Sequence, residues 1–289
     1  MRILVTGKNG QLGKSIHKIV TKRKQNNKFI FVGREELDLS KKDSITSYFD
    51  NNCFDIIINC AAYTAVDKAE VEIELADQVN NIAVKQLAKI AEKQKAKLIH
   101  ISTDYVFDGE SNKPYRETDV THPLNIYGKT KLAGEQAIQA IMQTDAIIIR
   151  TSWIYSEYGN NFVDTILRLG KERDELNIVN DQIGSPTFAT NIAETILDLI
   201  QNQVSSNSNQ ETQIYHFSND GQCSWYDFAY EIIKLAKIEC YINPITTKQL
   251  TSLAIRPKNT SMSKRKITKE FGMHISHWKT SLIRCMNNL

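Results

Sequence analysis

Three glycines near the N-terminus, in the pattern Gly7-x-x-Gly10-x-x-Gly13, constrain the fold of this chain more than any other feature. They follow the apolar run Ile3–Val5, which predicts a buried strand, and they precede a helical pattern of apolar residues. Glycine at such a turn lets the backbone bend sharply and approach a pyrophosphate closely. The helix that follows offers free N–H groups and the positive end of its dipole to the phosphates. The alternative is a glycine-containing turn without a ligand, and the strand before and helix after favour a dinucleotide site.

Apolar strands alternate with amphipathic helices over the first half of the chain. This alternation is typical of an α/β fold with a doubly wound parallel sheet of the Rossmann type. A long helix is predicted at about 76–93, with Val79, Ile82, Leu87 and Ile90 as its apolar stripe. The further predicted strands are Phe29–Val32, Ile56–Asn59, Lys97–Ser102 and Ala146–Arg150.

The pattern changes after Arg150, where aromatic residues lie in loop-like sequence. Helices are predicted at about 162–171 and 189–200, followed by a polar surface loop over 201–213. A late strand at 215–217 and a capped helix from Ser224 come next. We therefore predict an NAD(P)-binding Rossmann domain over residues 1–150, with later returning segments near 177–215. Residues 151–289 are predicted to form mainly a smaller substrate-binding lobe.

Composition excludes several classes of protein. With 41% apolar and 24% charged residues, the chain is typical of a soluble globular protein. The net charge of +3 and the lack of a long basic run argue against nucleic acid, and no apolar run approaches a membrane span. The five cysteines are widely spaced without a Cys-x-x-Cys motif. This spacing argues against disulfides and zinc, and it favours a cytoplasmic location.

Tyr127 and Lys131 lie one turn apart on a helix predicted to begin near Asn125. An ammonium beside a phenol favours the phenolate, so we expect the pKa of Tyr127 to fall below its free value of about 10. A tyrosine of this kind can give a proton to a carbonyl oxygen near neutral pH. Taken alone, the pair is more typical of an exposed helix that carries an ordinary Tyr and Lys, because short patterns are common by chance.

A third candidate, Thr103, ends the fourth predicted strand, where open α/β sheets bind their ligands. Its hydroxyl could hydrogen-bond a substrate carbonyl and hold it against Tyr127. Thr103, Tyr127 and Lys131 therefore form a coherent catalytic set: a group that orients the carbonyl, a proton donor, and a cation that lowers the donor's pKa and binds ribose. A β-strand threonine bonded only to backbone is the alternative for Thr103 alone.

The end of the second predicted strand bears on the choice of cofactor. An NAD site usually has an acidic residue here to hold the ribose 2′-OH, but this chain has Gly33-Arg34. Arg34 could pair with a 2′-phosphate, which favours NADPH with NADH also possible, or it could be a solvated arginine. Asp38 and Leu39 are placed to meet the adenine edge. The segment Asn59-Cys-Ala-Ala-Tyr63 follows the third strand, where its small residues would let a cofactor lie across the strand ends.

The chain resembles the extended short-chain dehydrogenases/reductases, and among them the dTDP-4-dehydrorhamnose reductase family. The resemblance extends in order over nearly the whole chain. The segments that carry it are Thr6–Gly13, Asn59–Glu70, Ser102–Gly109, Pro123–Glu135, Arg150–Trp153, Asp181–Thr187 and Arg256-Pro257.

This resemblance implies NAD(P)H-dependent reduction of the C4 ketone of dTDP-4-dehydrorhamnose to dTDP-L-rhamnose, for polysaccharide synthesis. By position it implies a set of cofactor and substrate contacts. Thr103 and Asp104 would face the sugar and Trp153 would pack on it, although Trp153 could equally be core. Arg256 would pair with the nucleotide diphosphate or form a structural ion pair. The implied cofactor contacts are Gly10, Gln11 and Leu12 at the pyrophosphate, Asp38 and Leu39 at adenosine, Ala61, Ala62 and Tyr63 along the cofactor, and Tyr127 and Lys131 at the nicotinamide ribose.

Three alternatives remain at this level. Related 4,6-dehydratases typically carry Thr-Asp-Glu after the fourth strand, whereas this chain has Thr103-Asp104-Tyr105, and a tyrosine is not an anionic base near neutral pH. An epimerase or a reductase of another nucleotide sugar is a second possibility, and a non-catalytic NADP-binding regulatory subunit is a third.

We find no carboxylate cluster typical of magnesium and expect no catalytic metal. The expected partners are a dTDP-sugar and a second copy of the chain in a homodimer.

Overall fold

The computed structural model describes residues 1–23, 26–205 and 211–289. The strands are β1 Arg2–Thr6, β2 Lys28–Val32, β3 Ile56–Asn59, β4 Lys97–Thr103, β5 Ala146–Thr151, β6 Ile154–Tyr155, β7 Glu175–Val179, β8 Ile183–Gly184, β9 Thr187–Phe188, β10 Gln213–His216, β11 Cys223–Ser224 and β12 Tyr241–Ile245.

Helices connect these strands, together with single 3₁₀ turns at Asp104–Val106 and Thr247–Gln249 and a π-helical turn at Gln78–Ile82. The α-helices are α1 Gln11–Lys22, α2 Lys42–Asp50, α3 Val66–Ala69, α4 Ile73–Asp77, α5 Ala83–Gln94, α6 Ile126–Ile141, α7 Phe162–Glu172, α8 Ala189–Ser205, α9 Trp225–Ala236, α10 Arg265–Phe271 and α11 Trp278–Met286.

A six-stranded parallel sheet forms the centre, in the order β10-β5-β4-β3-β1-β2. The fold class and the strands predicted from apolar runs are therefore confirmed. The chain places β2 on one side of β1 and β3 on the other. The connections diverge at this point, so a crevice opens outside the carboxyl ends of β1 and β3, where doubly wound folds bind dinucleotides.

Helices cover both faces of the sheet, which explains why its strands are apolar on both sides. On one face, Leu12 and Ile16 of α1 and Ile192 of α8 pack against strand residues. On the other face, Leu87 of α5 and Ile138 of α6 do so. A separate apolar cluster lies in the later part of the chain, and its large buried members are Tyr155, Val163, Phe188, Phe228, Trp278 and Leu282.

The predicted helix at about 76–93 is interrupted by the π-helical turn between α4 and α5. Leu87 is buried as predicted and Val79 is partly buried, but Ile82 is 43% exposed, so its assignment to the apolar stripe is wrong. A π-helical turn contains more residues per turn than an α-helix, so it changes which side chains face the sheet. This change turns Ile82 outward, and Asn80 within the turn is fully buried.

The prediction of a loop over 201–213 is wrong at both ends of this stretch. Helix α8 continues through Ser205, so the first part of this stretch is helical, while residues 206–210 lie outside the described residues and β10 begins at Gln213. The capped helix predicted from Ser224 is confirmed, with reciprocal hydrogen bonds between Ser224 and Asp227. Within the described ranges, every helix is too short or too polar to cross a bilayer.

Candidate active site

The glycine loop between β1 and α1 is packed so closely that side chains would not fit at two of its positions. Gly7 has φ +71°, and a Cβ on it would lie 3.0 Å from the backbone nitrogen of Ala61. A Cβ on Gly13 would lie 2.3 Å from the backbone oxygen of Gly7. Gly10 is the N-cap of α1, so the first N–H groups of this helix have no intrahelical acceptor. The loop therefore fits a pyrophosphate, which those N–H groups would bind.

The side chains of Gln11 and Leu12 are engaged elsewhere, so only their backbones are available to a phosphate. Gln11 Nε2 donates to the backbone oxygen of Ile154 at 3.2 Å, and Ser156 Oγ donates to Gln11 Oε1 at 2.8 Å. Leu12 is 6% exposed and packs in the core beneath α1.

The residues predicted to meet adenosine lie after β2. Arg34 is 74% exposed at its side chain, and its Nε lies 3.4 Å from Asp38 Oδ1. Asp38 Oδ1 also accepts a hydrogen bond from the backbone N–H of Ser40 at 3.0 Å. Leu39 is buried in the core, so its side chain points away from the cofactor crevice. Arg34 and Asp38 are thus already paired with each other after β2.

The segment that follows β3 is anchored through its backbone. The N–H of Ala61 donates to Thr6 Oγ1 at 3.2 Å. The side chain of Asn80 bonds both backbone groups of Tyr63: its Oδ1 accepts from the N–H at 2.9 Å and its Nδ2 donates to the C=O at 3.0 Å. Asn80 Nδ2 also donates to Thr130 Oγ1 at 3.2 Å. Asn80 therefore fixes the backbone of Tyr63 in the segment predicted to line the cofactor. Asn80 was missed in the sequence, although two asparagines in an amphipathic helix were a usable signal.

Thr103 and Tyr127 are brought together at the carboxyl end of β4. Thr103 is 4% exposed, and its hydroxyl lies close enough to the Tyr127 phenol to lower the pKa of that phenol. Thr103 Oγ1 also lies 3.1 Å from Asp104 Oδ1 and accepts from the N–H of Tyr105 at 3.2 Å. The Asn125 side chain caps α6 by accepting from the N–H of Gly128 at 2.8 Å. The cap fixes the first turn of the helix that carries Tyr127.

The expected fall in the pKa of Tyr127 is wrong for this structure. Burial raises the pKa of Tyr127 to about 12, and the charge of Asp104 adds to the rise, while the nearby Thr103 hydroxyl opposes it. The physical reason is that the phenol is largely removed from water. The Lys131 ammonium, moreover, is held by acceptors on β4.

Lys131 is 1% exposed and lies beneath the site. Its Nζ donates to the backbone oxygen of Ile101 at 2.6 Å and lies 3.2 Å from Nε2 of His100. Burial lowers the pKa of Lys131 to about 8, against the opposing effect of the Glu135 carboxylate. Burial and the Lys131 charge lower the pKa of His100 well below its usual value, so its ring is neutral.

Sequence reasoning also missed His100 and the ion pair that supports α6. His100 is fully buried. The available signal in the sequence was a histidine between Ile99 and Ile101 in a predicted strand. The Glu135 carboxylate accepts from Arg150 Nη2 at 2.7 Å and from Nε at 3.0 Å. Ser102 Oγ donates to the same carboxylate. This buried ion pair joins α6 to β5, and the hydrogen bond from Ser102 joins the same carboxylate to β4. The pair therefore fixes the position of α6 against the sheet.

Asp104 lies beside Thr103 and is 2% exposed. Burial raises the pKa of Asp104 to about 7, although hydrogen bonds from Thr260 and Thr103 oppose the rise. Burial and the Asp104 charge raise the pKa of Tyr105, so this phenol stays protonated at neutral pH. Tyr105 therefore lacks the basic character that a dehydratase needs at this position.

Trp153 and Arg256 lie in the later part of the chain. Trp153 has φ +47°, an uncommon backbone conformation for a bulky residue, and its ring stacks on Trp225 with 3.5 Å between centroids. A Cβ on Gly184 would come within 2.7 Å of the Trp153 ring. Arg256 forms an ion pair with Asp67 and is 20% exposed at its side chain. The structural ion pair considered for Arg256 in the sequence analysis is thus present.

Across residues 1–23, 26–205 and 211–289, no group of three or more His, Cys, Asp or Glu is placed to hold a metal ion.

A doubly wound sheet with a glycine loop after β1, and with Thr103, Tyr127 and Lys131 gathered at β4 and α6, defines a nicotinamide-dependent reductase of the extended short-chain type. The family model described as the RmlD substrate binding domain matches residues 1–289. The chain belongs to this family.

Relatives support the assignment over the full length. The chain is 40% identical to a dTDP-4-dehydrorhamnose reductase of Aggregatibacter actinomycetemcomitans, covering 97% of each chain. It is similar to the crystal structure of a dTDP-4-dehydrorhamnose reductase of Clostridium acetobutylicum ATCC 824, with TM-score 0.93 and 38% identity over 100% of this chain and 99% of that one. The dTDP-4-dehydrorhamnose reductase of Bacillus anthracis str. Ames, solved in complex with NADP, has TM-score 0.92 and 36% identity over 100% and 99%.

Proposed function

We propose that this protein reduces the C4 ketone of dTDP-4-dehydrorhamnose to dTDP-L-rhamnose, with NADPH as its main cofactor and NADH accepted. The observation that carries the proposal is the placement of Thr103, at the carboxyl end of β4, beside the Tyr127 phenol at the start of α6. This pair supplies what ketone reduction requires, namely an acid and a second hydroxyl to hold the oxygen. Full-length relatives named as reductases of this sugar nucleotide support the choice of substrate.

The residues around the crevice fit a nicotinamide dinucleotide, which when bound supplies the hydride. Gly7 and Gly13 leave room for a close backbone approach. The N–H groups of Gln11 and Leu12 would bind the pyrophosphate beside Gly10, whose own N–H donates to the backbone oxygen of Gly7 at 2.9 Å. Ala61, Ala62 and Tyr63 would line one wall, held by Asn80 and Thr6.

Tyr127 gives its hydroxyl proton to the ketone oxygen. Thr103 holds that oxygen by a hydrogen bond, which keeps the carbonyl in line with the donor. The pKa of about 12 keeps Tyr127 protonated until negative charge develops on the sugar oxygen. The Lys131 ammonium lies one helical turn away on acceptors of β4, and from there its charge would favour the phenolate that forms. The same ammonium would bind the nicotinamide ribose.

We assign substrate binding mainly to residues 151–289, with residues 1–150 and the returning segments near 177–215 as the NAD(P)-binding domain. Trp153 would present an apolar ring face to the sugar, and its stacking on Trp225 fixes that face. Asp104 would hydrogen-bond the sugar beside Thr103. Arg256 would bind the nucleotide diphosphate, with Asp67 holding its guanidinium in place.

We also propose that the protein acts as a homodimer in the cytoplasm. All five cysteines are free thiols, which suits a reducing compartment. Light scattering of the purified protein would give the mass in solution, and a monomer mass would refute the dimer.

The test is an assay of NADPH oxidation with enzymatically prepared dTDP-4-dehydrorhamnose, followed at the nicotinamide absorbance. We expect one cofactor oxidised per keto-sugar reduced, and an NMR spectrum of dTDP-L-rhamnose. A product with a different configuration would indicate another nucleotide-sugar reductase or an epimerase. Tight NADPH binding without turnover would indicate a regulatory subunit. Either result would overturn the proposal.

A further inference from the structure

The end of β2 carries a carboxylate–lysine pair that the reduction mechanism does not use. Glu36 Oε2 accepts a hydrogen bond from the backbone N–H of Gly33 at 2.8 Å, and Glu36 Oε1 pairs with Lys8 Nζ. Lys8 belongs to the glycine loop, and its backbone N–H donates to the oxygen of Val32 at 3.0 Å. The pair therefore joins the glycine loop to the end of the second strand.

This position is where a doubly wound fold receives the adenosine ribose, and where an acidic side chain normally reads the 2′-OH. Gly33 and Arg34 supply no such group, but Glu36 turns back and places its carboxylate on Gly33. The stem of Lys8 lies over the same glycine, since a Cβ on Gly33 would be 3.1 Å from Lys8 Cε. An anion and a cation thus meet at the strand end where this fold receives the adenosine ribose, the group at which NADH and NADPH differ.

The charges here are already balanced. The hydrogen bonds from Lys8 and Gly33 lower the pKa of Glu36, so it is a carboxylate at neutral pH. Arg34, the other cation at this edge, is paired with Asp38. A 2′-hydroxyl could donate to Glu36 without disturbing the pair. A 2′-phosphate would be repelled by Glu36. To bind, it would have to displace the Glu36 carboxylate from the Lys8 ammonium.

We propose that Glu36 and Lys8 together select the 2′ substituent of the cofactor: Glu36 accepts the 2′-hydroxyl of NADH, and Lys8 binds the 2′-phosphate of NADPH once Glu36 has moved aside. The selector rests on the dinucleotide site of the proposed function, and it explains how one site accepts both cofactors. Glu36 lowers the affinity for NADPH, and Lys8 restores part of it.

The experiment is equilibrium binding of NADH and of NADPH to the full chain, by calorimetry and without any sugar. For Glu36→Gln we expect the NADPH Kd to fall about tenfold and the NADH Kd to rise about threefold. For Lys8→Met we expect the NADPH Kd to rise about tenfold, with the NADH Kd changed less than about threefold. Matched controls are Glu35→Gln and Lys22→Met, which make the same charge changes at exposed positions, one beside Glu36 and one at the end of α1.

The shifts in the NADH and NADPH Kd values distinguish a selector of the 2′ substituent from a general electrostatic effect. Opposite shifts for the two cofactors in Glu36→Gln, absent in Glu35→Gln, support the selector. Equal shifts for both cofactors, or the same shifts in the controls, overturn it, because a general electrostatic effect does not discriminate the 2′ position. Both variants lie at the surface end of the loop, and circular dichroism verifies their folding. Failure to reduce the keto-sugar would refute the proposed function and leave this binding result intact.

Discussion

Lys131 Nζ lies 3.2 Å from Nε2 of His100, and both groups are buried beneath the site. The far side of the ring, Nδ1, lies 3.1 Å from Nδ2 of Asn59, whose Oδ1 accepts from Thr6 Oγ1. A charged Lys131 requires Nε2 to accept, which places the ring proton on Nδ1. Nδ1 then needs an acceptor, so the Asn59 amide must be flipped, with its Oδ1 toward the ring and its Nδ2 toward Thr6 Oγ1. The charge of Lys131 is thereby coupled to the tautomer of His100.

This coupling predicts the alkaline limit of activity. Because the pKa of Lys131 is lowered to about 8, the ammonium is present below that pH and lost above it. We expect kcat/KM for the keto-sugar to fall as pH rises through about 8. His100→Leu removes an acceptor from the buried ammonium and should move this limit about one unit lower. His100→Gln keeps an acceptor and should restore most of the shift, whereas an unchanged limit in His100→Leu would show that the ring does not hold the ammonium.

Tyr127→Phe should abolish turnover and leave the cofactor bound. Loss of a general acid typically costs about 10²–10⁴ in rate, and the ring that remains keeps the packing against Tyr105. Stopped-flow NADPH oxidation measures kcat, and fluorescence titration measures the cofactor Kd. Tyr105→Phe is the matched control, because it removes a neighbouring phenol that stays protonated, and it should keep kcat within a few-fold. A Tyr127→Phe enzyme with most of its kcat would show that another group donates the proton.

Asn80→Leu should loosen the cofactor wall. The substitution removes the partners of both the N–H and the C=O of Tyr63, and unpaired buried backbone groups cost about 1–3 kcal/mol each. We expect a lower urea midpoint and weaker NADPH binding. Asn81→Leu, at the neighbouring position where the side chain bonds only Asp77, is the control and should change both quantities little. Equal effects in the two variants would mean that helix polarity, not the Tyr63 contacts, sets the stability.

Glu135→Gln should destabilise the fold by about 3–5 kcal/mol, because it leaves the Arg150 charge buried without its counter-ion. Replacing both residues, as Glu135→Gln with Arg150→Met, should recover much of that loss. The exposed pair Arg168–Glu172 is the control, and Glu172→Gln should cost less than about 1 kcal/mol. Urea unfolding gives the free energies. A Glu135→Gln cost as small as the surface control would show that water reaches Arg150.

The sequence by itself determined the fold class and the chemistry of the main groups. Apolar strands alternating with helices require a parallel sheet, and the glycine loop can stand only at the turn after β1, so both predictions were confirmed. The spacing of Tyr127 and Lys131 on one helix followed from the helical period alone. These features are local, and local patterns are what a sequence carries directly.

Only the tertiary structure decided how those groups are charged and held. The π-helical turn buried Asn80 and exposed Ile82, and packing of α6 on β4 placed Lys131 against Ile101 and His100. Burial then raised the pKa of Tyr127, the reverse of what helix spacing predicted. Desolvation and long-range hydrogen bonds depend on residues far apart in the chain. A pattern of neighbouring residues therefore does not determine them.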